Sequence, residues 1–251
     1  MSNEKPRIVA TIECRMASTR LPGKVLKEIG GKSVLEILVE RVKRVSKIDQ
    51  VVLATTVNPL DGEIEKLGHR LGIGVYRGSE EDVLKRVLEA AEHFDATHIA
   101  ELTGDNPLVD PEIIAQAIDT FLCNKVEYLH SRHVPGYPIG MDVQVFRVPA
   151  LRKADQEGTL PEDREHVSWY FRRNPELFPA IYLQPPPALK WEELRLTLDE
   201  NADFEVISAV YSALYPKKPD FNCSDIISFC RAHPHIAELN RKVKQKAISN
   251  V

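Results

Sequence analysis

The chain has 251 residues, of which 43% are hydrophobic and 28% charged, and its formal net charge is -4 at pH 7. These values are ordinary for a globular protein with a substantial core, and the negative charge gives no reason to expect a nucleic acid as partner. No stretch reaches the roughly 20 apolar residues of a membrane helix, and the N-terminal stretch lacks an apolar secretory core. The sequence therefore predicts a cytoplasmic protein without membrane contact.

The first half of the chain predicts strands and helices in regular alternation. Short β-branched runs predict strands, and amphipathic periodicity predicts helices. The predicted strands are 8–12, 51–55, 75–76 and 98–102, and the predicted helices are 34–45, 61–71, 81–94 and 111–122. Alternation of this kind implies a parallel sheet with right-handed crossovers, flanked by helices in a Rossmann-like arrangement.

The second half is less regular. Its predicted strands are 127–131, 142–146 and 194–198, and its predicted helices are 163–172, 202–214, 223–232 and 236–247. The proline-rich stretch 185–190 is a rigid connector rather than a domain boundary. Cys223 and Cys230 share one face of a predicted helix, and without a C-x-x-C motif they are expected to be buried thiols.

A polar loop follows the first predicted strand. It carries Arg15, Arg20 and Lys24 within ten residues, alternating with hydroxyl side chains, and Gly23 lets a ligand approach the backbone closely. Such a loop suits a polyphosphate, although a solvated basic loop is the alternative. Its position favours the anion site, because ligands of open α/β sheets lie beyond the carboxyl ends of the strands.

Two acidic residues follow later predicted strands. Asp105 comes directly after the strand 98–102, where a carboxylate can take one position of a metal ion held otherwise by water and phosphate. An Asx turn before the helix at Pro111 is the alternative, but Asp110 is better placed to cap that helix. Asp199 follows the strand 194–198 in the same pattern. It could cap the next helix, unless Asn201 does so and leaves Asp199 available.

The loop also carries a resemblance. Residues 14–24, CRMASTRLPGK, resemble the signature ARMxSTRLPGK of cytidylyltransferases that activate acidic sugars, with Cys14 in place of Ala. These enzymes include the KDO and acylneuraminate types and the spore-coat polysaccharide biosynthesis protein F group. Residues 194–205 resemble the VDTPEDFE motif of the same family, whose Asp is a metal ligand and falls on Asp199. A Walker loop and a dinucleotide GxGxxG motif are both absent.

The resemblance covers about residues 7–214 and implies both a fold and a reaction. The implied fold is the GT-A-like version of the Rossmann-like nucleotidyltransferase fold, with a mixed, mostly parallel sheet flanked by helices. One domain is expected, with a nucleotide-binding half at about 7–122, an acceptor-binding half at about 123–214 and C-terminal helices at 215–251. The implied reaction uses CTP, an acidic sugar and one or two Mg²⁺ ions, releases pyrophosphate and serves surface polysaccharide or glycoconjugate biosynthesis. A homodimer is a further expectation.

The resemblance also assigns roles to residues. The predicted catalytic residues are Arg15, Lys24 and Asp105, and the predicted metal ligands are Asp105 and Asp199. The predicted nucleotide-binding residues are Arg15, Met16, Ser18, Thr19, Arg20, Lys24, Thr55, Ser79 and Asp82. The predicted acceptor-binding residues are Glu13, Glu101, Tyr137, Asp142, His166 and Arg195. Ser79 with Asp82 could equally form a helix capping box, and His166 could be an ordinary core histidine.

The chain departs from its nearest relatives at four positions. Glu13 and Cys14 stand where they usually have Gln and Ala, Glu101 where they have Arg, and Asn106 where they have Cys. In this fold class the first and fourth predicted strands are neighbours, so Glu13 and Glu101 are expected close together at the site. Each glutamate either pairs with a nearby Lys or Arg, or the acceptor carries an amine or lacks the anionic group that Arg would bind.

Two other functions fit parts of the sequence. A glycosyltransferase of the same fold class generally needs an Asp-x-Asp motif, where this chain has Asp105, Asn106 and Pro107. A nucleotide-binding protein without catalysis would keep the basic loop but need not keep both Asp105 and Asp199.

Overall fold

A computed structural model describes residues 5–131 and 136–245 of the chain. The strands are β1 (Ile8–Glu13), β2 (Glu28–Ile29), β3 (Lys32–Ser33), β4 (Gln50–Thr56), β5 (Gly74–Gly78), β6 (His98–Thr103), β7 (Tyr128–His130), β8 (Gln144–Arg147) and β9 (Ala180–Tyr182). The helices are α1 (Val34–Val42), α2 (Gly62–Arg70), α3 (Val83–His93), α4 (Pro111–Leu122), α5 (Val148–Glu157), α6 (Pro161–Glu165), α7 (Trp169–Arg173), α8 (Asn201–Leu214), α9 (Cys223–Ala232) and α10 (Pro234–Ala237).

Seven strands form one sheet in the order β5-β4-β1-β6-β8-β7-β9. The pairs β1 with β4, β1 with β6, β4 with β5 and β7 with β9 are parallel, whereas β8 runs antiparallel to β6 and β7. This mixed, mostly parallel sheet confirms the predicted fold class. The strand order changes direction between β1 and β6, which places the binding crevice of an open sheet at their carboxyl ends.

Helices cover both faces of the central strand. Val9 of β1 packs in one core cluster with residues of α3 and α5, whereas Ala10 and Ile12 pack in the other with residues of α1 and α4. Because successive side chains of a strand point to opposite faces, a strand covered on both sides must be apolar throughout. This explains why β1 begins with a continuous run of small apolar and β-branched residues, Ile8 to Ile12.

All strands and helices predicted for the first half are present, with shifted ends. Helix α4 has the predicted bounds, whereas α1 ends at Val42 rather than at residue 45. The short hairpin of β2 and β3 was not predicted. Elements that alternate regularly can therefore be located from periodicity, while their ends depend on caps and neighbours.

The second half departs further from the prediction. The single helix expected at 163–172 is two short helices, because His166 has an extended backbone with φ -126° and ψ 113°. The segment 194–198 joins no sheet, and only an isolated bridge links Ile139 and Arg195. Helix α10 has four residues instead of spanning 236–247, of which 246 and 247 lie outside the described residues. Helix α5 and strand β9 were not predicted.

The segment 194–198 is extended but pairs with loops. The backbone N–H of Leu196 donates to the carbonyl of Ile139 at 2.7 Å, and that of Leu198 donates to the carbonyl of Asp105 at 2.8 Å. The alternation of apolar residues in this segment correctly predicts that its leucines are buried. The prediction that the segment is a strand of the sheet is wrong. The contact with Asp105 carries the segment past the end of β6.

Asp110 is a structural residue, as the capping interpretation predicted. Its carboxylate is the N-cap of α4 and accepts hydrogen bonds from the backbone N–H of Glu112 at 2.9 Å and of Cys223 at 2.7 Å. Cys223 and Cys230 are buried free thiols on α9, as expected. Within the described ranges, no helix is long and apolar enough to cross a membrane.

Replacing Asp110 by Ala should lower the free energy of unfolding by about 2 to 3 kcal/mol, because the helix cap and the buried N–H of Cys223 both lose their acceptor. Urea denaturation followed by circular dichroism measures this change. Asp119→Ala is the matched control on the same helix, since Asp119 forms an exposed ion pair with Lys47 that is worth less than about 1 kcal/mol. Equal losses in the two variants would contradict the capping role.

Candidate active site

A cleft of about 340 Å³ opens at the carboxyl ends of β1 and β6. Its walls come from the loop 14–25, the turn after β6, helix α3 and the α6–α7 junction. The lining residues are Glu13, Cys14, Arg15, Ala17, Ser18, Thr19, Arg20, Lys24, Val25, Val83, Arg86, Thr103, Gly104, Asp105, Glu165, His166 and Asp199. The crevice thus lies where the strand order predicts it.

Lys24 holds the two predicted metal ligands together. Its Nζ donates to Asp105 Oδ2 at 2.7 Å, to Asp199 Oδ1 at 3.0 Å and to the carbonyl of Leu198 at 2.6 Å. Burial lowers the pKa of Lys24, but the two carboxylates outweigh burial and raise it above its usual value. The ammonium therefore stays charged at the floor of the cleft.

Asp199 is surrounded by cations. Besides Lys24, Arg20 contacts its Oδ1 at 2.8 Å, and the guanidinium of Arg195 donates to its Oδ2. Burial raises the pKa of Asp199, but Lys24, Arg20 and Arg195 together bring it below its usual value. The carboxylate is consequently ionised and held in one orientation.

Arg195 supports Asp199 rather than lining the cleft. It is 4% exposed, and its Nε donates to Asp203 Oδ1 at 2.9 Å. Asp203 Oδ2 in turn accepts from the backbone N–H of Asp199 and of Glu200, each at 2.9 Å. Glu200 is the N-cap residue of α8, so neither Asp199 nor Asn201 caps that helix, and the capping alternatives were both wrong.

Short-range contacts also fix Asp105. The hydroxyl of Thr103 donates to Asp105 Oδ1, and the side-chain amide of Asn106 donates to the Thr103 hydroxyl, both at 2.8 Å. The backbone N–H of Gly104 donates to the carbonyl of Glu13 at 2.8 Å, and a Cβ at Gly104 would lie 2.8 Å from Cys14 Cβ. Only glycine lets this turn pack so closely on β1.

Asp61 anchors the basic loop, whereas the sequence predicted it at a helix start, at the end of a stretch (55–61) expected to line the nucleotide pocket. Its carboxylate is 1% exposed and accepts from the backbone N–H of Met16 at 2.7 Å and of Thr56 at 3.2 Å. At the far end of the loop, Gly23 has φ 68° and donates to the carbonyl of Met16 at 3.0 Å. No local signal reveals the contact with Met16, because it joins residues 45 positions apart.

Glu13 and Glu101 lie on neighbouring strands, as predicted. The register pairs Thr11 with Glu101 and Glu13 with Thr103, so both glutamates point to the same face of the sheet. Burial raises the pKa of Glu13 to about 7, with Arg86 opposing and Asp105 adding to the rise. Burial and the nearby charge of Glu13 raise the pKa of Glu101 well above its usual value.

Glu101 is buried in the sheet and has an amide partner on β8. It is 2% exposed, and Gln144 Nε2 donates to its Oε2 at 2.6 Å. Pairing with a Lys or Arg was one of the two expectations for this residue. A neutral hydrogen-bond donor from β8 meets it instead.

The structure brings some further predicted residues to the cleft. Arg15, Ser18, Thr19 and His166 line it, whereas the following predicted residues do not: Met16, Thr55, Ser79, Asp82, Glu101, Tyr137, Asp142 and Arg195. Thr55 is fully buried, and Tyr137 is buried beside Asp110 and Cys223, away from the lining residues. Val83, Arg86 and Glu165 line the cleft as well. The sequence segments that contain them, 77–86 and 164–171, resemble the family segments at the nucleotide and at the sugar, but neither Val83 nor Arg86 was assigned a role of its own.

The expected capping box at Ser79 is shifted by three residues. Asp82, not Ser79, is the N-cap of α3 and accepts from the backbone N–H of Lys85 at 2.9 Å. Ser79 Oγ accepts from the backbone N–H of Asp82 at 3.0 Å, and Arg164 pairs with the Asp82 carboxylate at 2.7 Å. The side chains of Ser79 and Asp82 thus both have hydrogen-bond partners within the protein.

The donor set suits a magnesium ion. Asp105 and Asp199 direct carboxylate oxygens at a single cationic group, and Mg²⁺ is commonly bound by one or two carboxylates together with water and substrate phosphates. No group of three or more His, Cys, Asp or Glu side chains that could hold a metal ion lies within residues 5–131 and 136–245. Two carboxylates would leave the remaining coordination positions of such an ion to water and phosphate oxygens.

The chain is similar to known proteins over nearly its whole length. The family model described as cytidylyltransferase matches residues 9–218. The spore coat polysaccharide biosynthesis protein SpsF of Bacillus subtilis is 34% identical, over 92% of this chain and 96% of that protein. A 3-deoxy-manno-octulosonate cytidylyltransferase of Trichlorobacter lovleyi is also 34% identical, over 97% and 87%. The structure of a cytidylyltransferase from Leptospira borgpetersenii superposes with a TM-score of 0.88 at 30% identity, covering 98% of this chain and all of that one.

The raised pKa of Glu13 predicts a pH dependence of stability. Because the pKa is near 4.5 in the unfolded chain and about 7 in the fold, the native state binds more protons between these values. Stability should therefore fall as pH rises from 4.5 through 7, and Glu13→Gln should remove about 1 to 3 kcal/mol of that fall. Urea denaturation of both proteins at several pH values between 4.5 and 8 measures the difference. A difference that stays constant across this range would show that Glu13 titrates normally.

Proposed function

The chain belongs to the cytidylyltransferase family, and we propose that it transfers CMP from CTP to the hydroxyl group of an acidic sugar and releases pyrophosphate. The observation that carries this proposal is the contact of Lys24 with both Asp105 and Asp199 at the edge of a basic loop. Cations for a triphosphate and carboxylates for a metal ion thereby meet in one cleft.

The chemistry needs charge neutralisation and positioning. When the acceptor hydroxyl attacks the α-phosphate in line, negative charge builds on the phosphate oxygens and on the leaving pyrophosphate. Arg15, Arg20 and Lys24 supply three positive charges along one side of the cleft, and Ser18 and Thr19 supply hydroxyl donors there. Preorganised charges of this kind stabilise a transition state without reorganising during the reaction.

Magnesium is part of the proposal. Asp105 and Asp199 would hold the ion, which when bound supplies positive charge to the triphosphate and lowers the pKa of a coordinated hydroxyl. Thr103 and Arg195 keep these carboxylates oriented through their hydrogen bonds. The two carboxylates therefore need not lose conformational freedom when the ion binds, because both hydrogen bonds already exist within the protein.

The acidic sugar is proposed from the relatives and from the space in the cleft. One relative is named for 3-deoxy-manno-octulosonate and another for spore coat polysaccharide, which supports a sugar acid and a role in surface polysaccharide or glycoconjugate biosynthesis. Glu165 and His166 line the cleft from the α6–α7 junction. We assign this side to the acceptor, because the basic loop occupies the opposite one.

A matrix of substrates tests the proposal. The protein is incubated with Mg²⁺, each of the four nucleoside triphosphates and a panel of sugar acids and neutral sugars, and pyrophosphate release is measured. Release that requires both CTP and a sugar acid is expected. In a parallel incubation with nucleotide sugars as donors, sugar transfer would favour the glycosyltransferase alternative. Tight CTP binding without turnover on any acceptor would favour a protein that has lost catalysis.

Asp105→Asn should reduce turnover by roughly two to three orders of magnitude, the scale for removing one preorganised electrostatic group. The fold should persist, since an Asn side-chain oxygen still accepts from the hydroxyl of Thr103. Steady-state kinetics and a thermal melt measure both effects, with Asp119→Asn as an exposed control. A large drop in melting temperature with normal activity of the folded fraction would make Asp105 a turn residue.

Arg20→Ala and Lys24→Ala should raise the apparent KM for the nucleotide and leave the affinity for the acceptor nearly unchanged. The reason is that both cations belong to the basic loop, which is assigned to the phosphates alone. The effect should weaken as salt rises, since Arg20 is partly exposed. Titrations with nucleotide alone and with acceptor alone, at low and high salt, separate the two affinities. Equal weakening of acceptor binding would place these cations at the other substrate.

A further inference from the structure

We infer that Glu13, with Arg86 beside it, determines substrate specificity by accepting a hydrogen bond from an amino group at the floor of the cleft. This inference rests on the proposed transferase function and deepens it, because it names a chemical group that one of the two substrates must carry. It concerns binding selectivity, whereas the basic loop and the two aspartates carry the transfer itself.

The first observation is a pair of unsatisfied atoms. Glu13 Oε2 and Arg86 Nε are both buried, and neither has a hydrogen-bond partner among the described residues. Both residues line the same cleft. A buried polar atom without a partner costs about 1 to 3 kcal/mol, so a ligand group that satisfies these atoms gains correspondingly.

The second observation is that Arg86 is fixed in place. It projects from α3, is 3% exposed, and its Nη1 donates to the carbonyls of Ser79 and Glu80. Its charge acts against the burial of Glu13 and favours the ionised carboxylate. The floor thus offers one hydrogen-bond acceptor on Glu13 and one donor on Arg86, which suits a ligand with an N–H group beside a lone pair.

The third observation separates Glu13 from Glu101. The Glu101 carboxylate receives the amide of Gln144 and does not line the cleft. It therefore lies below the surface that a ligand reaches. Of the two glutamates, Glu13 is the one placed to contact a substrate.

Two substrates could supply the amino group. Cytosine carries an exocyclic amine next to a ring nitrogen, whereas uracil carries a carbonyl oxygen at that position, which the carboxylate would repel. An amino-substituted sugar acid is the other source. The shared chemistry is an N–H donor, and the two sources differ in whether selectivity appears with the nucleotide alone or only with the acceptor.

The test compares the parent, Glu13→Gln and Glu101→Gln. In the first arm, calorimetry without acceptor gives the ratio of Kd values for CTP and UTP. In the second arm, kcat/KM is measured with CTP and matched pairs of amino and hydroxyl sugar acids. Glu13→Gln should narrow one of these ratios at least about tenfold, because a Gln side chain can donate as well as accept. Glu101→Gln, the matched control, should leave both ratios unchanged.

A ratio in either arm that moves only in Glu13→Gln supports the inference and identifies the source of the amino group. Ratios within twofold of the parent in both arms overturn it, as does an equal change in Glu101→Gln. If Glu13→Gln does not fold, Glu13→Asp keeps the charge but shortens the side chain, and the same ratios decide. Absence of turnover in the parent would reject the proposed function, while the calorimetric arm would still test the nucleotide source.

Discussion

The parallel pairing of β1 with β6 fixes the position of the basic loop relative to Asp105. Their register brings both strands to an end at the same level, and the hydrogen bond from Gly104 N–H to the Glu13 carbonyl continues the pairing by one step. The basic loop and the turn that carries Asp105 therefore begin side by side. Lys24 reaches Asp105 only because this register holds, and a one-residue slip would turn each side chain to the other face.

The parts of this arrangement that depend on local chemistry were predictable from the sequence. The run 8–12 is apolar because both faces of β1 are covered. The pair Asp110 and Pro111 marks a helix start, because Asp110 can cap the helix and Pro111 lacks an N–H that the first turn would leave unpaired. The spacing of Arg15, Arg20 and Lys24 placed a basic loop at the end of a strand. Patterns of this kind carry the first half of the fold and one side of the cleft.

The rest could not be predicted, because it depends on contacts between distant residues. Lys24 and Asp199 are 175 positions apart. The motif at 194–205 indicates Asp199, but it does not show that Asp199 and Asp203 together hold Arg195. Arg86 ends a segment, 77–86, that resembles the family's nucleotide segment, but helical periodicity alone does not show that its side chain is buried. The segment 194–198 has strand-like alternation, yet it passes the end of the sheet and pairs with loops instead.

The support of Arg195 reaches into the C-terminal segment. Asn240 is 2% exposed and donates to the Arg195 carbonyl at 3.0 Å, Arg195 donates to the side chain of Gln245, and Arg20 donates to the carbonyl of Lys244 at 3.4 Å. This segment thus acts as a brace behind Arg195 and Arg20, the two arginines that hold Asp199. Shortening the chain before residue 240 would loosen that brace, and an affinity tag fused at the N-terminal end is preferable to one fused at the C-terminal end.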